Sequence, residues 1–168
     1  MMQKEIDVTA LGELLIDFTE NGVSSQGNAL LEANPGGAPC NVLAMLGKLG
    51  KKTAFIGKVG NDQFGNMLRN TIESVGIDAE GLVIDDKVHT TLAFVHTYPD
   101  GDRDFSFYRN PGADMMLRKE EVSLEKICAS KIFHFGTLSF THAGIRTASQ
   151  YAIQCAKEAG ALISFDPN

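Results

Sequence analysis

Two stretches of this chain carry residues of the right type and spacing to hold a small polar molecule. The first is Gly36-Gly37-Ala38-Pro39-Cys40-Asn41. Consecutive glycines let backbone approach a ligand closely and expose its N–H groups. A helix opening directly behind them adds unpaired donors and a partial positive charge. Asn41, one turn into that helix, both donates and accepts hydrogen bonds. The second is Asp17, at the end of the apolar run Leu14-Leu15-Ile16. A carboxylate leaving such a run is desolvated unless it finds donors, and two hydroxyls of one ligand would serve. Together these features suit a polyhydroxylated molecule. On the residues alone two plainer readings stay open: a simple loop-to-helix junction at 36–41, and a helix cap or ion-pair partner in Asp17.

Other chemistries find no support. Gly50-Lys51-Lys52-Thr53 lacks the earlier glycine of a Walker A loop and has Lys52 where Ser or Thr must follow, and Gly57-Lys58-Val59-Gly60 does not have GxGxxG spacing. Cys40, Cys128 and Cys155 form no CxxC pair, and His89, His96, His134 and His142 show no HExxH spacing, so no metal site is expected. Gly112-Ala113-Asp114 follows a hairpin in a polar loop and is read as structural. With 21 acidic and 15 basic residues the net charge is −6, and no basic cluster points to nucleic acid. No apolar run approaches the roughly 18 residues of a membrane span, and the charged N-terminus is unlike a secretory signal, so neither a membrane partner nor export is expected, and a cytoplasmic location is.

The elements that must position these residues follow from periodicity. Ile6 to Phe18 reads as one strand with a kink at Gly12, and residues 19–34 as a surface loop. Pro39 opens a helix that Gly50 stops, apolar on nearly every side and so expected to be buried. Thr53 to Val59 is a strand. A second helix opens after Gly60-Asn61-Asp62, with Phe64, Met67, Leu68, Ile72 and Val75 along one face, and ends at Gly76. Thr90 to Tyr98 and Asp104 to Arg109 form a hairpin with Asp100-Gly101 at its tip, Phe105 and Phe107 facing one way and Tyr108 the other. Lys131 to Phe135 is a strand, His142 to Ala159 a helix and Leu162 to Phe165 a strand. This order predicts an α/β fold with a mostly parallel sheet flanked by helices, interrupted by antiparallel strands. The chain stops at Phe165-Asp166-Pro167-Asn168, where a strand would deliver polar groups to a site, and therefore reads as incomplete. Its cut sheet is expected to leave an exposed strand edge and an uncovered apolar face.

These residues resemble a known family. Gly36 to Ala44, with Leu46-Gly47, Gly50 and Ile56-Gly57-Lys58-Val59-Gly60-Asn61-Asp62-Gln63-Phe64-Gly65, looks like the first signature of the PfkB-like (ribokinase family) sugar kinases, and Ala10 to Phe18 like their first strand. Phe107 to Asp114 and Ser164 to Asn168 are similar to the fructokinase branch. The resemblance implies a ribokinase-like α/β domain over residues 1–168 with a small β-sheet lid, its strands near 12–35 and 88–112. It implies transfer of the γ-phosphoryl of ATP, with Mg2+, to a sugar hydroxyl, fructose to fructose 6-phosphate. It places Asp17, Gly36, Gly37 and Asn41 on the sugar, Phe94 and Phe107 as an apolar wall, Arg109 on sugar hydroxyls or on the carboxylate of a sugar acid, and Asn168 at the nucleotide end. The family's second signature, a Gly-Ala-Gly-Asp turn that supplies the catalytic base and a phosphate cradle, is not in this sequence. No catalytic residue is therefore assigned, and the nucleotide-binding and catalytic part is expected to lie beyond Asn168, with little turnover by these residues alone. The alternatives are a non-catalytic sugar-binding module of the same ancestry and a 2-keto-3-deoxygluconate kinase. Pairing of two copies through the lid is a further expectation.

Overall fold

The computed structural model describes residues 4–98 and 100–167. Alternation in the first strand sorts its side chains to two faces of a central sheet. In β1 (Ile6–Leu11), Val8 and Ala10 join one apolar core and Leu11 the other. The sheet holds five parallel strands in the order β5 (Ile77–Asp85), β4 (Thr53–Gly60), β1, β8 (Ser130–Gly136) and β9 (Leu162–Asp166). Helices α1 (Ala38–Lys48) and α2 (Gln63–Ser74) supply the first core, where Leu43, Leu68 and Ile72 meet Phe55. Helices α3 (Leu124–Cys128) and α4 (Ala143–Glu158) supply the second, where Ile127, Ile145, Ala148, Ala152 and Ala156 meet Ile56 and Phe133. The α4 face expected from its spacing is the buried one.

The N-terminal run is two strands in two sheets. Gly12 makes the last central-sheet bond, N–H to the carbonyl of Ile56 at 3.1 Å. The chain then leaves the layer and resumes as β2 (Leu15–Val23) in a second sheet of order β3 (Ala29–Gly36), β2, β6 (Leu92–Thr97), β7 (Arg103–Tyr108). Most of the expected loop at 19–34 is therefore strand, turned by Ser24–Asn28 with Gly27 at φ +82°. Its polar residues lie on an exposed sheet face, where no apolar alternation is required. The hairpin forms as expected, with Gly101 at φ +89° in its tip.

The second sheet is rooted in the central layer along one row and leans on α2, where Phe18 meets Phe64 edge-on at 5.6 Å. Leu15 pairs with Gly36, Ile16 with Leu92, and Leu92 with Tyr108, so all four strands enter or leave at the same end. The two outer turns lie at the far end.

Two further differences from the sequence reading stand out. Helix α1 is not enveloped: Met45 is 59% and Val42 37% exposed, because only the face with Pro39, Cys40 and Leu43 meets the sheet. Strand β5 has no clear sequence signature, since Asp78 and Glu80 interrupt it and Gly81 sits where a Cβ would press on the carbonyl of Phe55, at a register shift against β4. At the other margin lies β9, with Leu162 71% and Phe165 51% exposed.

Candidate functional site

A cavity of about 700 Å3 lies where the second sheet, the start of α1 and the carboxyl ends of β8 and β9 converge. Period-2 alternation selects what faces it. From β2 come Leu15, Asp17 and Thr19, while Ile16 and Phe18 face away. From the hairpin come Val95 and, on β7, Arg103, Phe105 and Phe107. The rings of Phe105 and Phe107 stack at 6.0 Å between centroids and form an apolar wall. Gly37 and Asn41 contribute from α1, and Gly136, Thr137 and Asp166 from the floor.

Asp17 and Asn41 thus share one cavity. The Asp17 carboxylate has no hydrogen-bond or ion-pair partner among the described residues, and burial raises its pKa above the ordinary value. It is a pair of acceptors waiting for donors. Asn34, paired with Asp17 across β2 and β3, is already engaged: its amide donates to Thr19 Oγ1 at 2.9 Å.

The two glycines make room for the protein's own atoms before any ligand. A Cβ on Gly36 would overlap Asp17 Oδ2, and Gly37, at φ +125°, is pressed against the carbonyl of Glu13. Gly36 itself does not line the cavity; it lets the carboxylate of Asp17 lie flat against β3.

Glu13 was not a sequence candidate, although a lone acid inside Leu11-Gly12-Glu13-Leu14-Leu15 was a visible anomaly. It is 3% exposed and borders the cavity. Its Oε1 accepts the Ala38 N–H at 3.0 Å, and its Oε2 is buried without a partner among the described residues. Burial raises its pKa; the Ala38 N–H opposes that, the Asp114 charge adds to it and Arg109 counters.

Two sequence candidates move. Phe94 lies on the other face of the sheet, stacked on Phe18 at 5.0 Å and edge-on to Tyr108 at 5.1 Å, because its register partner is Phe18 and the cavity parity belongs to Ala93 and Val95. Arg109 is turned away: its guanidinium binds Asp114, the Leu138 carbonyl and Thr141 Oγ1. The cation that does face the cavity is Arg103, two residues before Phe105 and so on the same face. Asn168 lies outside the described residues; Asp166, two residues earlier, borders the cavity floor. Asp114 is 2% exposed and holds Thr91 as well as Arg109, the structural part expected of Gly112-Ala113-Asp114.

Among the described residues no three His, Cys, Asp or Glu side chains group to hold a metal, and no helix is long and apolar enough to cross a membrane. The arrangement combines free acceptors, an amide and an aromatic wall, which matches a molecule with hydroxyl edges and an apolar face.

Comparison with known proteins gives the chain a family. Residues 5–168 match the description "pfkB family carbohydrate kinase". "Probable fructokinase-2" of Arabidopsis thaliana is 48% identical over 164 residues, and "Fructokinase-2" of Solanum lycopersicum 47%; each alignment takes in 96% of this chain and 50% of the relative. The fold superposes on a crystal structure of fructokinase from Xylella fastidiosa with bound ATP at a TM-score of 0.91 and 34% identity, over 98% of this chain and 52% of that one. The chain spans about half the length of the curated relatives it matches.

Proposed function

Because the chain belongs to the pfkB family of carbohydrate kinases, we propose that its cavity takes a hexose, fructose above all, and presents one hydroxyl for phosphorylation by ATP. The observation that carries this is the carboxylate of Asp17: half-buried, without a partner among the described residues, and facing the same space as Asn41 and the Phe105–Phe107 wall. Two sugar hydroxyls donating to Asp17 would offset its desolvation, Asn41 would add a third polar contact, and the rings would cover the C–H face. The second sheet would hold water off the sugar, limiting wasteful hydrolysis of the donor.

The residues present fit the acceptor better than the donor. Glu13, Asp17 and Asp166 make the lining acidic, with Arg103 the one cation among the described lining residues, so it is not a cradle for a triphosphate. ATP as donor is supported by the ATP-bound structural relative. Mg2+ would be carried by the nucleotide, and no step is assigned to it here. A sugar acid is a second reading, favoured by Arg103, whose guanidinium could pair with a carboxylate. Pairing of two copies through the second sheet belongs to the same proposal: β7 is an edge strand exposed along its whole length, and light scattering would show a dimer or a monomer.

Calorimetry tests the reading. Fructose should bind this chain and compete with a sugar acid, and Asp17→Asn should weaken fructose about 10- to 100-fold, the worth of hydrogen bonds to a charged group. Equal affinity in wild type and Asp17→Asn would defeat it. Addition of ATP to the full-length protein then separates a kinase acceptor site from a module that binds sugar alone.

A further inference from the structure

We propose that Glu13 is a positioning residue: it fixes the distance between the two polar side chains of the cavity, Asp17 and Asn41, by tying the start of α1 to the point where the chain changes sheets. The inference rests on the reading of the cavity as a sugar site.

Asp17 and Asn41 belong to different elements, β2 and α1, with no hydrogen bond between them, so their spacing must be set by something that touches both elements. Glu13 does. It sits in the crossing between β1 and β2, four residues before Asp17. Its Oε1 accepts the N–H of Ala38, the first residue of α1, and its backbone carbonyl is packed against Gly37, the residue before α1. In the same turn the backbone N–H of Asn41 itself donates to the Gly37 carbonyl at 3.0 Å. One residue thus grips the helix start by side chain and main chain together.

The grip is electrostatic as well as steric. A carboxylate at the first turn of a helix is favoured by its exposed N–H groups and partial positive charge. α1 has no other acid in its first turn and no side-chain cap of its own, so Glu13 supplies from a distance what its sequence lacks. Placing a carboxylate there with Oε2 unpartnered is costly in an interior position. A plain core residue would avoid that cost, and a helix holding only structure would do well with a local Ser or Asp cap. The groups that bear on Glu13 are Asp114 and Arg109 beyond β7 and Cys40 on α1.

The experiment compares wild type, Glu13→Gln, Glu13→Ala and Asp17→Asn in the 168-residue chain by fructose calorimetry from pH 5 to 8, with amide hydrogen exchange in the first turn of α1. Glu13→Gln keeps an oxygen for the Ala38 N–H and loses the charge. Glu13→Ala should weaken fructose about tenfold and speed exchange at Ala38, Cys40 and Asn41, leaving α2 unchanged. Glu13→Gln should bind within a few-fold of wild type at neutral pH. Its affinity should fall less toward acid, because one of the two lining carboxylates whose pKa burial raises is then gone. Wild-type affinity in Glu13→Ala with unchanged exchange would overturn the proposal. So would superposable pH profiles for wild type and Glu13→Gln, which decide the matter if Glu13→Ala fails to fold. If wild type binds no fructose, the sugar reading fails; exchange then decides whether Glu13 holds the helix start, and unchanged rates would overturn that too.

Discussion

Arg109 and Asp114 close a tight clamp at the base of the second sheet: the guanidinium meets one carboxylate oxygen through Nε at 2.8 Å and Nη2 at 2.5 Å, and its Nη1 reaches Thr141 at 2.9 Å. Since Asp114 is 2% exposed, Arg109→Ala strands a buried charge and should cost about 3–5 kcal/mol in urea unfolding. Arg109→Lys keeps the charge, lacks the fork and should fall between. Neither change should alter the preference between fructose and a sugar acid, whereas Arg103→Ala should weaken the acid more than fructose. A selective loss of the acid in the Arg109 variants, measured by competition calorimetry, would return Arg109 to the ligand.

Asp17 should trade stability for binding. Burial raises its folded pKa, so its favourable contribution is present below the unfolded value and is lost as pH rises through the folded value. At neutral pH the ionised, unpartnered carboxylate is therefore a cost to the ligand-free fold. Asp17→Asn should melt higher than wild type at pH 7 and converge with it near pH 4, while losing fructose affinity. A lower melting temperature at pH 7 would contradict this account.

Asp62 has the opposite sign. Burial pushes its pKa up, but the N–H groups of Thr90 and Gly65 and the Thr90 hydroxyl outweigh it and hold the pKa below the ordinary value. Its contribution is present above the unfolded pKa and disappears as pH falls through the folded one. Asp62→Ala removes the N-cap of α2 and should cost about 1–2 kcal/mol at pH 7, with the difference shrinking in acid. Chemical denaturation at pH 7 and pH 3 checks it.

Gly36→Ala should separate binding from folding. Its Cβ would overlap Asp17 Oδ2, so the carboxylate must turn or β3 must shift, and such overpacking costs about 1–3 kcal/mol. Gly36 has ordinary backbone angles, so no strained turn is at stake. Fructose affinity should fall about tenfold by calorimetry while the fold persists by circular dichroism; unchanged affinity would show that the Asp17 carboxylate tolerates displacement.

What could be read in advance was local punctuation and long amphipathic repeats. Pro39 and Gly50 bracket α1, Asp62 caps α2, and Ile145, Ala148, Ala152 and Ala156 form the buried face of α4. What could not was set by pairing at a distance. β2 and β3 are polar because one sheet face meets solvent, and β5 is masked by Asp78, Glu80 and Gly81. In the site, Asp17, Gly37, Asn41 and Phe107 reach the cavity, but Phe94 and Arg109 do not. With Phe94, Phe105, Phe107 and Tyr108 on both faces of one hairpin, composition cannot tell inside from outside; only the partner across the sheet does, Phe18 for Phe94 and Val95 for Phe105. Arg109 stands one step past the last paired residue, Tyr108, where alternation no longer governs direction.

The second sheet is a plate held at its root along one row of paired residues and propped on α2, where Phe18 meets Phe64 edge-on at 5.6 Å. Leu92 is at the anchored end and Thr97 at the free one, about 17 Å away at roughly 3.3 Å per residue. Tilting the whole plate by about 10° about that row, with Phe18 sliding over Phe64 and no strand bond broken, would sweep its outer end about 3 Å. Arg103, opposite Thr97, would travel farthest and Asp17, one step from the pivot at Ile16, hardly at all. The same protein can thus keep its acidic contact stationary while its basic contact swings.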